Sequence, residues 1–179
     1  MYLLGFDIGS SSVKASLLEA ATGKCVASAY HPKQEMPMRA MKPGWAEQDP
    51  EDWWKYLKLA LADVIRQSAV DPATVKSIGI SYQMHGLVMV DRNGSALRPS
   101  IIWCDSRSVD IGNEAFQHIG AEKCLSSLLN SPGNFTASKL KWVQQHEPDI
   151  YSRAWKIMLP GDYIALRMTG EMKTTLSGL

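Results

Sequence analysis

The chain has 179 residues, 45% of them hydrophobic and 21% charged, with Lys+Arg 19 against Asp+Glu 18 for a formal charge of +1. A domain of this size buries about 70% of the surface its unfolded form exposes, which is enough for a real core. The composition excludes a disordered or fibrous chain. The near-zero charge carries none of the basic excess of a nucleic-acid binder, and no apolar stretch nears the ~20 residues of a membrane span.

Taken in chain order, Tyr2 to Phe6 is a short apolar run that predicts a strand, followed by Asp7 and the turn-prone Gly9-Ser10-Ser11. Ser12 to Glu19 alternates, with Val13, Ala15 and Leu17 on one side, and Thr22-Gly23-Lys24 turns the chain into a third strand, Cys25 to Tyr30. The short turns require antiparallel pairing, because a parallel crossover needs about a dozen residues. Residues 31–48 contain Pro32, Pro37, Pro43 and Gly44 and predict a long irregular loop, a kind of segment that is often functional. A helix is then expected to open with Asp49 as cap, Pro50 at the first position and Glu51 and Asp52 near the positive end of the dipole. Trp53, Trp54, Leu57, Leu61, Val64 and Ile65 form its apolar face, and Asp71-Pro72 ends it.

Val75 to Tyr82 returns to strand character, followed by Leu87 to Val90, a hairpin-type turn at Asp91-Arg92-Asn93-Gly94, and a strand from Ser100 to Trp103. Beyond Asp105 the pattern is helical: Ile111, Ala115 and Ile119 mark one segment, which Leu125 to Leu129 extends. Ser138 to His146 forms another, closed by Glu147-Pro148, and Asp162 to Thr169 a last one, stopped at Gly170. Strands first, then helices alternating with strands, predict an α/β fold with a mixed β-sheet flanked by helices. The cysteines, Cys25, Cys104 and Cys124, lack CxxC spacing, so neither a disulfide framework nor a zinc site is expected. They read as small buried hydrophobes in a reduced, cytoplasmic protein, since Asp7 and the glycine-serine turn interrupt any signal-peptide pattern.

Four polar segments could carry chemistry. In Asp7-Ile8-Gly9-Ser10-Ser11-Ser12-Val13-Lys14 an acidic residue ends a strand and a glycine turn offers backbone N–H groups and hydroxyls, a concavity suited to anions. Lys14 falls on the same side of its strand as Ser12, and Asp7 could hold Mg²⁺, a hard ion that takes oxygen ligands and keeps several waters. The same residues also make an ordinary hairpin with a solvated Asp and Lys, and no Walker A sequence is present. In Ser81-Tyr82-Gln83-Met84-His85-Gly86 a strand runs into polar residues, where Gln83 and His85 offer donors and acceptors to hydroxyls and Met84 a soft apolar surface. Trp45 to Pro50 and Trp103-Cys104-Asp105-Ser106-Arg107 join an indole to charged or amide groups, as carbohydrate sites do. Core packing of both tryptophans, capping by Asp49 and an Asp105–Arg107 pair are the structural alternatives.

Taken together and in order, these motifs resemble the FGGY carbohydrate kinases. The likeness runs from residue 5 to residue 171 and adds Arg98-Pro99-Ser100-Ile101-Ile102 before Trp103, Phe135-Thr136-Ala137-Ser138-Lys139-Leu140-Lys141-Trp142, Leu159-Pro160-Gly161-Asp162-Tyr163 and Arg167-Met168-Thr169-Gly170-Glu171. It implies a ribonuclease H-like, actin-like ATPase fold, with residues 1–179 as an N-terminal domain that binds sugar and carries part of the phosphate loop. A second, nucleotide-binding domain and the general-base aspartate would lie beyond Leu179, making the chain inactive alone. By the same resemblance the cofactors are ATP and Mg²⁺. Asp7 would position the metal, Gly9, Ser10 and Ser11 would face the phosphates, and Lys14 would assist. Gln83, Met84 and His85 would contact the sugar, with Trp103 and Asp105 near the pocket. The expected reaction is ATP-dependent phosphorylation of a ketopentose, D-xylulose foremost, at its terminal hydroxyl, with gluconate, ribulose or glycerol as other family substrates. The expected partners are the sugar, ATP and the chain's own C-terminal domain, with a homodimer allowed and neither nucleic acid nor membrane. Asn134 and Thr175 depart from the family's pattern, the first beside the sugar and the second where many relatives carry Asp. A two-metal nuclease, which would need several carboxylates around its ions, and a non-catalytic sugar-binding module are the alternative classes.

Overall fold

The computed structural model describes residues 1–174, so Thr175 lies outside the described residues. In chain order the elements are β1 (Tyr2–Ile8), β2 (Val13–Glu19), β3 (Cys25–His31), β4 (Glu47–Gln48), α1 (Pro50–Ser68), β5 (Val75–Tyr82), β6 (Val88–Val90) and β7 (Ser100–Ile101). They continue with α2 (Val109–Ile119), α3 (Ala121–Leu128), α4 (Thr136–His146), α5 (Pro148–Arg153), β8 (Lys156–Met158) and α6 (Pro160–Thr169). Two compact units result: Met1–Pro37 with Pro50–Gln83, and Met38–Asp49 with Met84–Leu179.

The first unit is a mixed sheet in the order β3-β2-β1-β5. β1 to β3 run antiparallel, as their short turns require, and β5 joins β1 in parallel after the α1 crossover. Alternation separates the faces: Leu4, Phe6, Ile8, Val13, Ala15 and Leu17 are buried, whereas Asp7 and Lys14, paired directly across the strands, share the opposite face. α1 packs on β2 and β3 and buries Trp53, Leu57, Ala60 and Val64, one side of the helix at three- and four-residue spacing. Trp54, Leu61 and Ile65 flank that stripe half-buried.

The second unit is built from short pieces. β4 pairs antiparallel with β7, and β6 with β8. Single bridges extend the first pair, with Arg39 beside Glu47 and Leu87 beside Ile101. Its core gathers Leu87, Met89, Ile101, Trp142 and Val143, with Trp45 and Ile111 packed against it. α2 crosses the 3₁₀ turn Pro132–Asn134 so closely that a Cβ at Gly112 would lie 2.2 Å from the Cα of Gly133.

Four expectations change. Residues 31–48 are not wholly irregular, because their last part forms β4 against β7. The strand expected to reach Trp103 stops at Ile101, leaving Trp103 outside the pairing. Leu125 to Leu129 does not extend α2: the chain breaks at Gly120, at φ 94°, and restarts as α3. Of the cysteines only Cys124 is buried, while Cys25 and Cys104 are exposed. α5 and β8 carry too few residues to show a period, and the sequence pattern does not announce them.

The Gly112 contact is backbone to backbone and has no flexible side chain to yield, so Gly112→Ala should cost about 1–3 kcal/mol by urea denaturation. Gly79→Ala, where a Cβ meets nothing within 4 Å, should change stability by less than about 0.5 kcal/mol.

Candidate functional site

In the first unit the β1–β2 hairpin turns through residues 9–12. The turn is closed by the Gly9 N–H, which donates to the Ser12 carbonyl at 3.1 Å. A Cβ at residue 9 would stand 2.9 Å from that same oxygen, so the position requires glycine. Gly9 therefore shapes the turn, with its own N–H committed inside it. Ser11 is exposed and Ser10 half-buried, and the Ser11 carbonyl accepts the Met36 N–H at 2.8 Å. Lys14 Nζ lies 3.6 Å from Asp7 Oδ2 on the open face, both side chains about half exposed. On the other side of Asp7 its parallel partner is Ser81, and the Gln83 N–H donates to the Ile8 carbonyl at 2.9 Å, carrying the β1–β5 pairing one step further. One open carboxylate beside a cation and two hydroxyls has the donor chemistry for Mg²⁺ that arrives with a phosphate ligand and keeps most of its waters. Among the described residues no group of three or more His, Cys, Asp or Glu gathers as a protein-only metal cage.

In the second unit the remaining candidates meet through register. Leu87 bridges Ile101 antiparallel, its N–H donating to the Ile101 carbonyl at 2.9 Å. Counting outward from that bridge, His85 and Trp103 leave the same end of the pair. Met84 is 63% and Trp103 45% exposed, two large apolar surfaces presented outward. His85 is half-buried, its ring stacked on Phe135 with centroids 4.4 Å apart. Below lies Lys139, with no exposed surface, whose Nζ donates to the His85 carbonyl at 2.9 Å and to the Asn134 carbonyl. Asn134 itself is exposed at the same place.

The electrostatics follow from burial. Desolvation pushes Lys139 down to about 8, against the pull of the Asp105 carboxylate. Burial, and then the Lys139 charge, hold the His85 imidazole below its ordinary value. At neutral pH His85 is therefore uncharged, with one ring nitrogen donating and the other accepting. Burial also pushes the Cys104 thiol up, although the residue as a whole is exposed, so the sulfur stays protonated.

Asp105 has a different occupation. It is fully buried; Oδ2 accepts the Ala46 N–H at 2.6 Å and Oδ1 the Arg107 N–H at 2.9 Å. The Arg107 guanidinium grips the same carboxylate, Nη2 to Oδ2 at 2.7 Å, and reaches Glu47 at 2.7 Å. Glu47 also takes Arg98 at 2.5 Å, and Arg98 reaches Glu147 at 2.9 Å. The pairing weighed for Asp105 and Arg107 is thus the one formed. Trp45 lies edge-on to Trp142 at 5.2 Å, beneath Arg107 at 3.8 Å, in a packing role. Phe135, Thr136 and Lys139, which contact the His85–Gly86 turn, were not singled out by residue-by-residue reasoning; their one signal was the Phe135-Thr136-Ala137-Ser138-Lys139 motif as a whole.

Comparison with known proteins finds the family profile "FGGY family of carbohydrate kinases, N-terminal domain" over residues 2–178. A protein named xylulose kinase from Klebsiella pneumoniae is 38% identical over 177 residues, covering 99% of this chain and 35% of that protein. Among solved structures, a xyloylose kinase from Brucella ovis has a TM-score of 0.85 at 36% identity, over 96% of this chain and 35% of that one. A gluconate kinase from Lactobacillus acidophilus has a TM-score of 0.82 at 26% identity, over 96% and 34%. The shared fold is the ribonuclease H-like, actin-like ATPase fold, and the chain spans about 35% of the length of the first relatives it matches.

Two predictions follow from the charges. Arg107→Ala leaves the buried Asp105 and Glu47 without their partner and should cost about 3–5 kcal/mol in urea denaturation. For Lys139, the folded value of about 8 lies below the unfolded lysine value, so between the two the unfolded chain binds the extra proton and this site's contribution to stability rises with pH. The stability of the wild type minus that of Lys139→Met should therefore increase from pH 7.5 to pH 9.5, and a flat or falling difference would contradict the assignment.

Proposed function

The chain belongs to the FGGY family of carbohydrate kinases, and from that membership we propose that it is the sugar-binding part of an ATP-dependent kinase acting on a ketopentose, D-xylulose foremost. The observation that carries this reading is the end of the Leu87–Ile101 pair, where Met84, His85 and Trp103 emerge together over buried Lys139. A pentulose is uncharged, with hydroxyls on its edges and C–H groups on its faces. A neutral imidazole offers a donor and an acceptor to the former, and a thioether and an indole cover the latter. The relatives and structures named for xylulose support the choice of sugar.

In this reading Gln83, Met84, His85 and Trp103 bind and orient the sugar, and Asp105 holds the Trp103 segment in place from beneath. The Ser10 and Ser11 hydroxyls and the Lys14 cation face the phosphates, and Asp7 would hold Mg²⁺, directly or through water. When bound, that ion neutralises charge developing on the transferred phosphoryl group. In the transfer, the terminal hydroxyl of the sugar bonds to the γ-phosphorus, the bond to ADP breaks, and the hydroxyl proton passes to a base. We assign that base, and most of the nucleotide site, to a C-terminal domain beyond these residues, so the 179-residue chain alone does not turn over.

In the full-length enzyme His85→Ala should weaken ketose binding by about tenfold or more, the worth of one well-placed hydrogen bond, while ATP affinity stays within about twofold. Isothermal titration with D-xylulose, ribulose, gluconate and glycerol ranks the sugars. D-xylulose-dependent ADP formation by the 179-residue chain would overturn the assignment of the base.

A further inference from the structure

His85 adopts φ 58°, in the left-handed region, a conformation unfavourable for a non-glycine residue that persists only where its surroundings impose it. The surroundings come from one place, the first turn of α4 and the residue before it. Phe135 stacks on the His85 ring, Thr136 Oγ1 donates to the Gly86 carbonyl at 3.4 Å, and Lys139 Nζ donates to the His85 carbonyl at 2.9 Å. On its far side Gly86 is pressed so closely to Pro160 that a Cβ would stand 2.5 Å from the ring's Cγ.

Lys139 is the unexpected member of this set. It is wholly buried, yet both of its contacts are to backbone carbonyls, those of His85 and Asn134. An apolar side chain of similar length would fill the same space without the cost of desolvating an ammonium. Core packing therefore does not account for a cation here. What the cation does is join two carbonyls from segments far apart in the chain, one in the turn that carries Met84 and His85 and the other that of exposed Asn134.

We propose that Lys139 is a positioning residue for the sugar: it clasps the His85 and Asn134 carbonyls and so fixes the turn that presents Met84 and His85 to the ligand. This rests on the sugar-binding reading above. The charged and titratable groups that face the clasp are Asp105, Arg107, Cys104 and the His85 ring. Removing the ammonium thus has two separable consequences. The turn loses its tether, and His85 loses a neighbouring positive charge that opposes its protonation.

The test combines NMR of ¹³C-labelled histidine with titration of D-xylulose, using the full-length enzyme and its variants. Comparison with His85→Gln identifies the His85 signals. In Lys139→Met the His85 signals should shift, its titration midpoint should rise, and ketose affinity should fall at least tenfold. Lys139→Gln keeps N–H donors without the charge, so the midpoint should rise as far while much of the affinity returns; a merely space-filling role gives no such split. Should Lys139→Met fail to fold, Phe135→Leu removes the stacking half of the clasp with Lys139 intact, and should also lower ketose affinity. Unchanged His85 signals in Lys139→Met, or ketose affinity unchanged in a folded Lys139→Met or Phe135→Leu, overturn the clasp. A wild type that binds no ketose overturns the sugar reading and the purpose assigned to Lys139, while the histidine titration still reports whether the clasp exists.

Discussion

The second unit depends on one buried guanidinium. Arg107, 1% exposed, holds Asp105 and Glu47 at once and lies against the rings of Trp45 and Trp142. Its partners belong to short segments: Glu47 to a two-residue strand and Asp105 to the loop after another. Strands that short cannot hold a register by themselves, and the ion network does it for them. A lysine could not substitute, because only a planar fork can grip two carboxylates and stack on an indole together. Each charge in the network is stable only while its partners remain, so the network specifies one arrangement more than it stabilises the fold in general.

With Asp105 drawn inward, the two residues before it are left outside. The Asp105 carboxylate accepts the Ala46 amide, which anchors the loop on β4, while Trp103 and Cys104 stay exposed at the end of the Leu87–Ile101 pair. Arg107 and Lys139, both buried here, are handled in opposite ways. Arg107 is neutralised by carboxylates in direct contact. Lys139 meets only carbonyl dipoles at hydrogen-bond range, with Asp105 acting on it electrostatically, and its affinity for a proton falls. The first arrangement serves register and the second serves the backbone at His85.

What could be read in the sequence divides along the same physical line. The β1–β3 meander, α1 and β5 follow from alternation, short turns and a clean helical face, because local pattern and final burial agree there. Asp7 and Lys14 could be placed together because antiparallel register puts them opposite each other. The second unit was less legible. β4 and β7 are two residues each, too short to show a period, and exist through a tertiary ion network. α5 and β8 are hidden for the same reason. Cys104 and Asp105 traded expected environments, the thiol outward and the carboxylate inward. Which of two adjacent residues is buried there is decided by Arg107, and the pairing becomes visible only once the chain has folded. Lys139 stood in plain view inside a motif, but a lysine's ordinary place is the surface, and nothing local marks one that is buried.

The near-zero net charge of the chain has a local counterpart in this unit. The buried guanidinium groups of Arg98 and Arg107 are each paired with carboxylates, those of Glu47, Asp105 and Glu147. The surface itself adds a neutral imidazole, a thioether and an indole. A phosphate or carboxylate ligand would call for an uncompensated cation at hydrogen-bond range, and the ammonium of Lys139 is already spent on two backbone carbonyls. In the first unit the balance differs: Lys14 is exposed beside a half-exposed Asp7, and each can meet a ligand or ion of opposite sign. Charge is thus available where a phosphate is proposed and cancelled where an uncharged sugar is, and this division, rather than the total, is what ties composition to function.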